Sequence, residues 1–170
     1  MATDPRLAFA DDAGRYFARQ HGLPPMTGRV IGWLLLCEPS DQTIAELATS
    51  LRASRTAVTS AISVLEGWSW VQRSRAAGER VDRVSLDPGV WTRQLDNPAE
   101  YTAFGELARR GLAAMGDAPP GRRARLLEMA AFAEFLAERM PALAAEWLAR
   151  RDALRTSGEL PERTRTRTDR

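Results

Sequence analysis

Residues 43–86 constrain this chain more than any other stretch, because their hydrophobic period changes from helical to alternating just past Gly67. Thr43-Ile44-Ala45-Glu46 has the form of a capping box, in which a hydroxyl and a carboxylate three residues apart satisfy orphan N–H groups at a helix start. Ile44, Leu47, Ala48 and Leu51 then share one helical face. Arg52-Ala53 makes a short connection, and Ser54 is an N-cap for a second helix with the apolar stripe Ala57, Val58, Ala61, Ile62 and Leu65. Its opposite face is Arg55, Thr56, Thr59, Ser60 and Ser63. Residues 71–75 alternate, 76–80 turn, and 81–86 return, which predicts a β-hairpin with arginines on and beside its tip.

Two short helices followed by a basic hairpin form the layout of a winged helix-turn-helix, which points to DNA. A helix laid in the major groove needs short polar side chains that let its backbone approach, together with an arginine for guanine or phosphate. The outer face of the second helix meets that requirement. Charge is concentrated in the same place: Arg52, Arg55, Arg73, Arg75, Arg80 and Arg83 stand against Glu66, Glu79 and Asp82, whereas residues 1–51 carry four arginines and six acids. The sequence therefore predicts a mainly α fold with a small β-hairpin wing, a winged helix-turn-helix joined to a helical dimerisation region. The expected DNA-contacting residues are Thr43, Ser54, Arg55, Thr56, Thr59, Ser60, Ser63, Arg73, Arg75, Arg80 and Arg83. Arg73 and Arg75, alternating on one strand, are expected to face phosphates together.

The order of helix, Ser54-Arg55-Thr56-Ala57-Val58-Thr59-Ser60 helix, and hairpin with Gly78-Glu79-Arg80 resembles the MarR-type winged-helix transcriptional regulators. Residues 22–39, from Gly22-Leu23-Pro24-Pro25 through Trp33-Leu34-Leu35-Leu36-Cys37, look more specifically like the GbsR-type branch of that group. The resemblance is good over residues 9–91 and looser to residue 154. It implies a homodimer, with a wing that reaches the minor groove or its phosphates, and Arg80 matches the wing arginine. Arginine suits a narrow minor groove because the negative potential there is enhanced. A small-molecule effector, either apolar or both apolar and cationic, is the further implication. Phe17, Trp33, Phe104 and Met129 are its expected lining, between the DNA-binding core and the helical region.

Other function classes find little in the composition. His21 and Cys37 are the single histidine and cysteine of 170 residues, and the chain shows no P-loop, dinucleotide-binding glycine run, zinc spacing or nucleophile elbow. An enzyme, a metal site and a bound cofactor are accordingly not expected. Asp11-Asp12 are adjacent on a helix, so their side chains diverge and read as a solvated face. Cys37 is open to a redox role, but its place after Leu34-Leu35-Leu36 favours an inert packed thiol. Neither a secretion signal nor a membrane-spanning run is present, so the protein is expected in the cytoplasm without membrane association. The formal net charge of +2 is too small to argue for nucleic acid by itself. Five tryptophans invite a cation cage, although Trp68, Trp70 and Trp91 flank the wing strands and suit wing support.

Along the chain, residues 5–21 and 27–37 predict two helices, separated by Gly22 and Pro24-Pro25. Asn97-Pro98-Ala99-Glu100 predicts a capped start for a helix reaching about residue 116. Residues 121–139 predict the next, and Pro141 is expected to open a separate final helix ending near residue 154. The predicted organisation is an N-terminal helix in residues 1–26 that contributes to dimerisation, a DNA-binding domain in 27–91, helical dimerisation in 92–155 and a disordered tail in 156–170. Residues 126–140 are apolar around more than one stripe, which suits a second subunit. A winged helix that binds protein and not DNA is the rival reading.

Overall fold

A computed structural model of the chain describes residues 4–75, 78 and 80–161. The chain divides into two compact units, Met1–Val90 and Trp91–Glu162. It is mainly helical with one small antiparallel sheet, as the sequence predicts.

The first unit opens with α1 (Pro5–His21), which Asp4 caps by accepting from the Arg6 N–H and which Gly22 ends in the left-handed region at φ 66°. Helix α2 (Pro25–Leu36) begins two residues earlier than the sequence suggests, with Pro25 in its first turn. The two helices pack at very short range because glycines line their crossing. A Cβ on Gly28 would lie 2.8 Å from the Ala13 carbonyl oxygen and 2.8 Å from Gly14 Cα, and one on Gly32 would lie 2.6 Å from Ala13 Cβ. Arg29 fastens the crossing: its Nε donates to Asp11 Oδ1 at 2.7 Å and its Nη2 to the Leu51 carbonyl at 2.9 Å.

The capping box forms as predicted. Thr43 Oγ1 accepts from the Glu46 N–H at 3.1 Å and Glu46 Oε2 accepts from the Thr43 N–H at 2.7 Å, starting α3 (Ile44–Ser50). Ser54 Oγ likewise accepts from the Ala57 N–H at 3.1 Å to start α4 (Arg55–Gly67). Val58, Ile62 and Leu65 of α4 meet Leu47, Leu51, Val30 and Ile31 in a fully enclosed core. Each such side chain contributes about 1.5–3 kcal/mol relative to exposure.

The hairpin strands are β2 (Val71–Ser74) and β3 (Arg83–Leu86), joined in register with Val71 opposite Leu86 and Ser74 opposite Arg83. Ala76, Ala77 and Glu79 of the expected turn lie outside the described residues. A third strand, β1 (Asp41–Thr43), pairs with the other edge of β3, which places β3 in the centre of the sheet. Strand β1 is not foreseen from the sequence, since three residues ahead of a helix cap carry no alternation. A single helical turn, α5 (Val90–Arg93), is also unanticipated.

The second unit is a helical pair, α6 (Pro98–Ala114) and α7 (Pro120–Thr156). Asn97 stands at the N-cap of α6 as expected, with Pro98 and Glu100 in the first turn, but its side chain makes no hydrogen bond to the helix backbone and donates to Glu100 Oε2 at 2.7 Å. The expected break at Pro141 is absent, and α7 continues through it as one helix of 37 residues. Proline removes one N–H and leaves the carbonyl of Ala137 without its usual donor. Both residues are exposed, so water can serve that carbonyl. The helix ends at Thr156, and Ser157–Leu160 fold back so that the Leu160 N–H reaches the Leu154 carbonyl at 2.9 Å. Of the predicted disordered tail, residues 162–170 lie outside the described residues.

The helices α6 and α7 meet along small side chains: Ala108 and Ala133 are buried, and a Cβ on Gly105 would lie 3.3 Å from Ala133 Cβ. No helix among the described residues is long and apolar enough to cross a membrane.

The α1–α2 crossing generates one prediction. Gly28→Ala forces backbone apart, because both nearest atoms belong to α1 main chain, and should destabilise the protein by about 1–3 kcal/mol. A shift of the urea midpoint measures it, with Gly67→Ala, where nothing lies within 4 Å, as the near-neutral control.

Candidate nucleic-acid interface

The outward face of α4 is assembled as the sequence predicts: Arg55, Thr56, Thr59, Ser60 and Ser63 are all exposed while Val58, Ala61, Ile62 and Leu65 are buried. Thr59 Oγ1 donates to the Arg55 carbonyl at 2.8 Å and Ser63 Oγ to the Thr59 carbonyl at 3.1 Å. Their hydroxyl donors are satisfied on the helix, which leaves the oxygen lone pairs of both residues and the Thr59 methyl on an exposed face. Thr43 and Ser54 spend their hydroxyl acceptors on the two helix caps, so they mark helix starts more than they offer free side chains.

Between the start of α3, the start of α4 and the wing lies an open cleft of about 320 Å³. Arg55 from α4, Arg73 and Arg75 from the β2 side, and Arg80 from the wing tip all line it, with Asp82 as the acidic member. Four cations thus converge from segments that the sequence separates by up to 25 positions. This arrangement can receive a polyanion whose charges are spaced along a line.

The arginines differ in how they are held. Arg73 grips Glu66, at the last turn of α4, through both Nε at 2.6 Å and Nη2 at 3.2 Å. This grip raises the already high Arg73 pKa. Arg75 Nε donates to Asp82 Oδ1 at 2.7 Å across the wing, and the guanidinium holds the Asp82 carboxyl below its ordinary range. Arg55 and Arg80 are exposed and have no carboxylate partner among the described residues.

Arg83 departs from its expected role as a DNA contact. Only 6% of it is exposed, because β1 covers the edge of β3 that a two-stranded wing would leave open. Its Nε lies 3.3 Å from Asp41 Oδ2, and its Nη2 donates to the Asp41 carbonyl at 3.3 Å and to Glu46 Oε2 at 3.2 Å. Burial pushes the Glu46 carboxyl up, yet the Thr43 groups and the Arg83 charge outweigh it and hold Glu46 below its ordinary value. Arg83 therefore fixes the wing base to α3.

The residues considered for a ligand occupy different settings. Phe17 and Trp33 are packed into the core of the first unit, and Arg6 lies 5.4 Å from the Trp33 ring centroid, so a cation already covers that aromatic face. Phe104 is exposed and Met129 half-buried in the helical pair. Cys37 is buried, and its enclosure pushes the thiol up to about 11, which suits the inert reading over the redox one. His21 sits in the last turn of α1 with its ring 5.5 Å from that of Phe17.

Glu66 and Asp82 are the site residues that sequence reasoning missed. Asp82 was accessible in principle, since continuing the hairpin register one step beyond Ser74 and Arg83 sets Arg75 opposite it. Glu66 carried no such signal, because its partner lies across the turn between α4 and β2.

Comparison with known proteins decides the family. The chain is 34% identical over 131 residues to the HTH-type transcriptional regulator MmpR5 of Mycobacterium tuberculosis, covering 76% of this chain and 79% of that protein. The chain belongs to the MarR family of transcriptional regulators. The model of MmpR5-like MarR family transcriptional regulators matches residues 89–150. A crystal structure of a transcriptional regulator aligns with a TM-score of 0.78 at 29% identity, over 86% of this regulator and 99% of that chain. The family model thus falls mainly on α5, α6 and α7, whereas the motifs that carry the resemblance in the sequence are those of the winged helix. This regulator is a DNA-binding, winged helix-turn-helix member of the family, and the matched relatives are regulators and not enzymes.

The arginine assignments separate experimentally. Arg83→Ala leaves Asp41 enclosed without its cation and should cost about 3–5 kcal/mol in a denaturation experiment. Arg80→Ala should leave the unfolding free energy within about 0.5 kcal/mol of the unmodified protein, as expected of an exposed charge.

Proposed function

We propose that this regulator is a homodimeric repressor that binds a pseudo-palindromic operator, with residues 54–63 of each copy in a major groove and each wing against the adjacent backbone. The single observation that supports this most is the convergence of Arg55, Arg73, Arg75 and Arg80 on one cleft beside the exposed polar face of α4. Arg55 and Arg80 supply the charge that is unpaired among the described residues, while Thr56, Thr59 and Ser60 are short enough for base edges to approach. Such a protein works in the cytoplasm, where it meets the chromosome.

Dimerisation is supported by an inversion in the helical pair. Its buried positions are small, Gly105, Ala108, Ala133 and Ala144, while Phe132 is 53% exposed, Phe135 55% and Leu143 45%. Phe132, Phe135 and Leu143 fall on one side of α7 by helical geometry. An apolar stripe of that kind on a regulator suits a second copy. Repression controlled by an apolar effector completes the proposal. A ligand relieves repression only to the extent that it prefers the non-binding spacing of the two recognition helices. The GbsR-like branch is a narrower proposal resting on residues 22–39, and choline and betaine in a thermal-shift screen with operator competition are its test.

Selection from a random duplex library with the purified protein should return a motif with two half-sites about one helical turn apart or a simple multiple. Operator affinity should fall steeply with salt, and Arg55→Ala and Arg80→Ala should each lessen the logarithmic slope by about 1.8, because each removes one phosphate contact from both copies of the dimer. The absence of any enriched motif would overturn specific regulation and favour a protein-binding winged helix. In light scattering at micromolar concentration the unmodified chain should have a dimeric mass and the Phe132→Glu/Phe135→Glu variant a monomeric one. A monomeric mass for both would sink the dimer.

A further inference from the structure

We propose that Glu66 and Asp82 are specificity-determining positioning residues: they hold one edge of Arg73 and Arg75 so that only a backbone in operator register meets the free edge. The inference rests on the DNA-binding reading above and adds to it how that surface discriminates operator from bulk DNA.

Arginine carries five N–H donors in a planar fork, and a carboxylate occupies only part of it. Glu66 takes Nε and Nη2 of Arg73, leaving Nη1 uncommitted among the described residues. Asp82 takes Nε of Arg75, leaving both terminal nitrogens uncommitted among the described residues. Both residues line the cleft with Arg55 and Arg80, and their side chains keep 31% and 57% of their surface exposed, so we assign their uncommitted edges to the surface offered to DNA. A carboxylate in this position has two consequences of opposite sign. It freezes a long side chain that would otherwise lose rotamer freedom on binding, which favours a complex whose phosphate lies in the prepared place. It also cancels one positive charge, which weakens attraction to DNA of any sequence. Counting Arg55, Arg73, Arg75 and Arg80 against Glu66 and Asp82, the surface keeps a net charge of +2 instead of +4.

The place of Glu66 gives the pairing directional content. It stands in the last turn of α4, and Arg73 stands on β2, so the two-point grip ties the recognition helix to the wing. Rotation of the wing relative to α4 breaks at least one of those bonds. Arg75 and Asp82 then tie one side of the wing to the other. The register between groove-reading helix and backbone-contacting wing is thereby set before DNA arrives.

The test uses the full chain, the operator returned by selection and a scrambled duplex of equal length, each titrated from about 50 to 200 mM salt. Glu66→Gln and Asp82→Asn should each weaken operator binding several-fold while strengthening scrambled-duplex binding, so that their ratio falls by about tenfold or more. In the Arg73→Ala background Glu66→Gln should no longer alter the ratio, since the side chain it positions is gone. Equal strengthening of both duplexes would mean that the carboxylates act through charge alone and would overturn the proposal. An unchanged ratio, or parallel losses tracking a lowered melting temperature, would overturn it as well. If the unmodified protein itself does not discriminate the two duplexes, the DNA-binding reading fails first, and that outcome is distinct because it precedes any substitution.

Discussion

The ion cluster of Arg83 with Asp41 and Glu46 sets where the wing stands. Asp41 is fully enclosed, and an enclosed carboxylate without a counter-charge costs several kcal/mol. Arg83 supplies that charge from the central strand and reaches Glu46 with the same guanidinium. Glu46 in turn accepts the Thr43 N–H that opens α3. One chain of charge-assisted contacts therefore joins β3, β1 and the first helix of the helix-turn-helix. The wing cannot reorient independently of α3 without exposing a buried charge pair or leaving part of it unmatched.

A second constraint is the size of the side chains at the helix crossings. Gly14, Gly28 and Gly32 bring α1 within backbone contact of α2, and Arg29 then spans from Asp11 on α1 to the end of α3. The position of α1 is consequently felt at the turn of the helix-turn-helix within the same unit. The α6–α7 pair uses glycine and alanine in the same way, with the opposite result for its larger side chains. Close approach of the two helices leaves Phe132, Phe135 and Leu143 outside, and an apolar surface of that kind gains by being covered.

The arginines of residues 55–83 illustrate how one residue type serves three purposes in a small volume. Arg83 is committed to the interior, Arg73 and Arg75 are held at one edge by carboxylates, and Arg55 and Arg80 are unpaired among the described residues. Their burial and partners separate these purposes, although each looks the same in the local charge count. The charge excess of the region reports that an anion is wanted. It does not report which guanidinium meets it.

Local interactions explain what the sequence determined by itself. The Thr43 capping box, the Ser54 cap, the stripe of α4 and the end of α1 at Gly22 depend on residues within a turn or two of one another, so spacing alone discloses them. The exposed face Arg55, Thr56, Thr59, Ser60 and Ser63 follows from the same periodicity. The tertiary structure decided the rest wherever a partner comes from another element. Arg83 became an interior residue because the three-residue β1 closed the edge of its strand, and Glu66 met Arg73 because α4 and β2 fold back on each other. Proline's local preference for ending a helix was overridden at Pro141, where an exposed site lets solvent serve the freed carbonyl. Local periodicity reveals which face of an element is apolar, but the neighbour that covers a given position is set by the path of the whole chain.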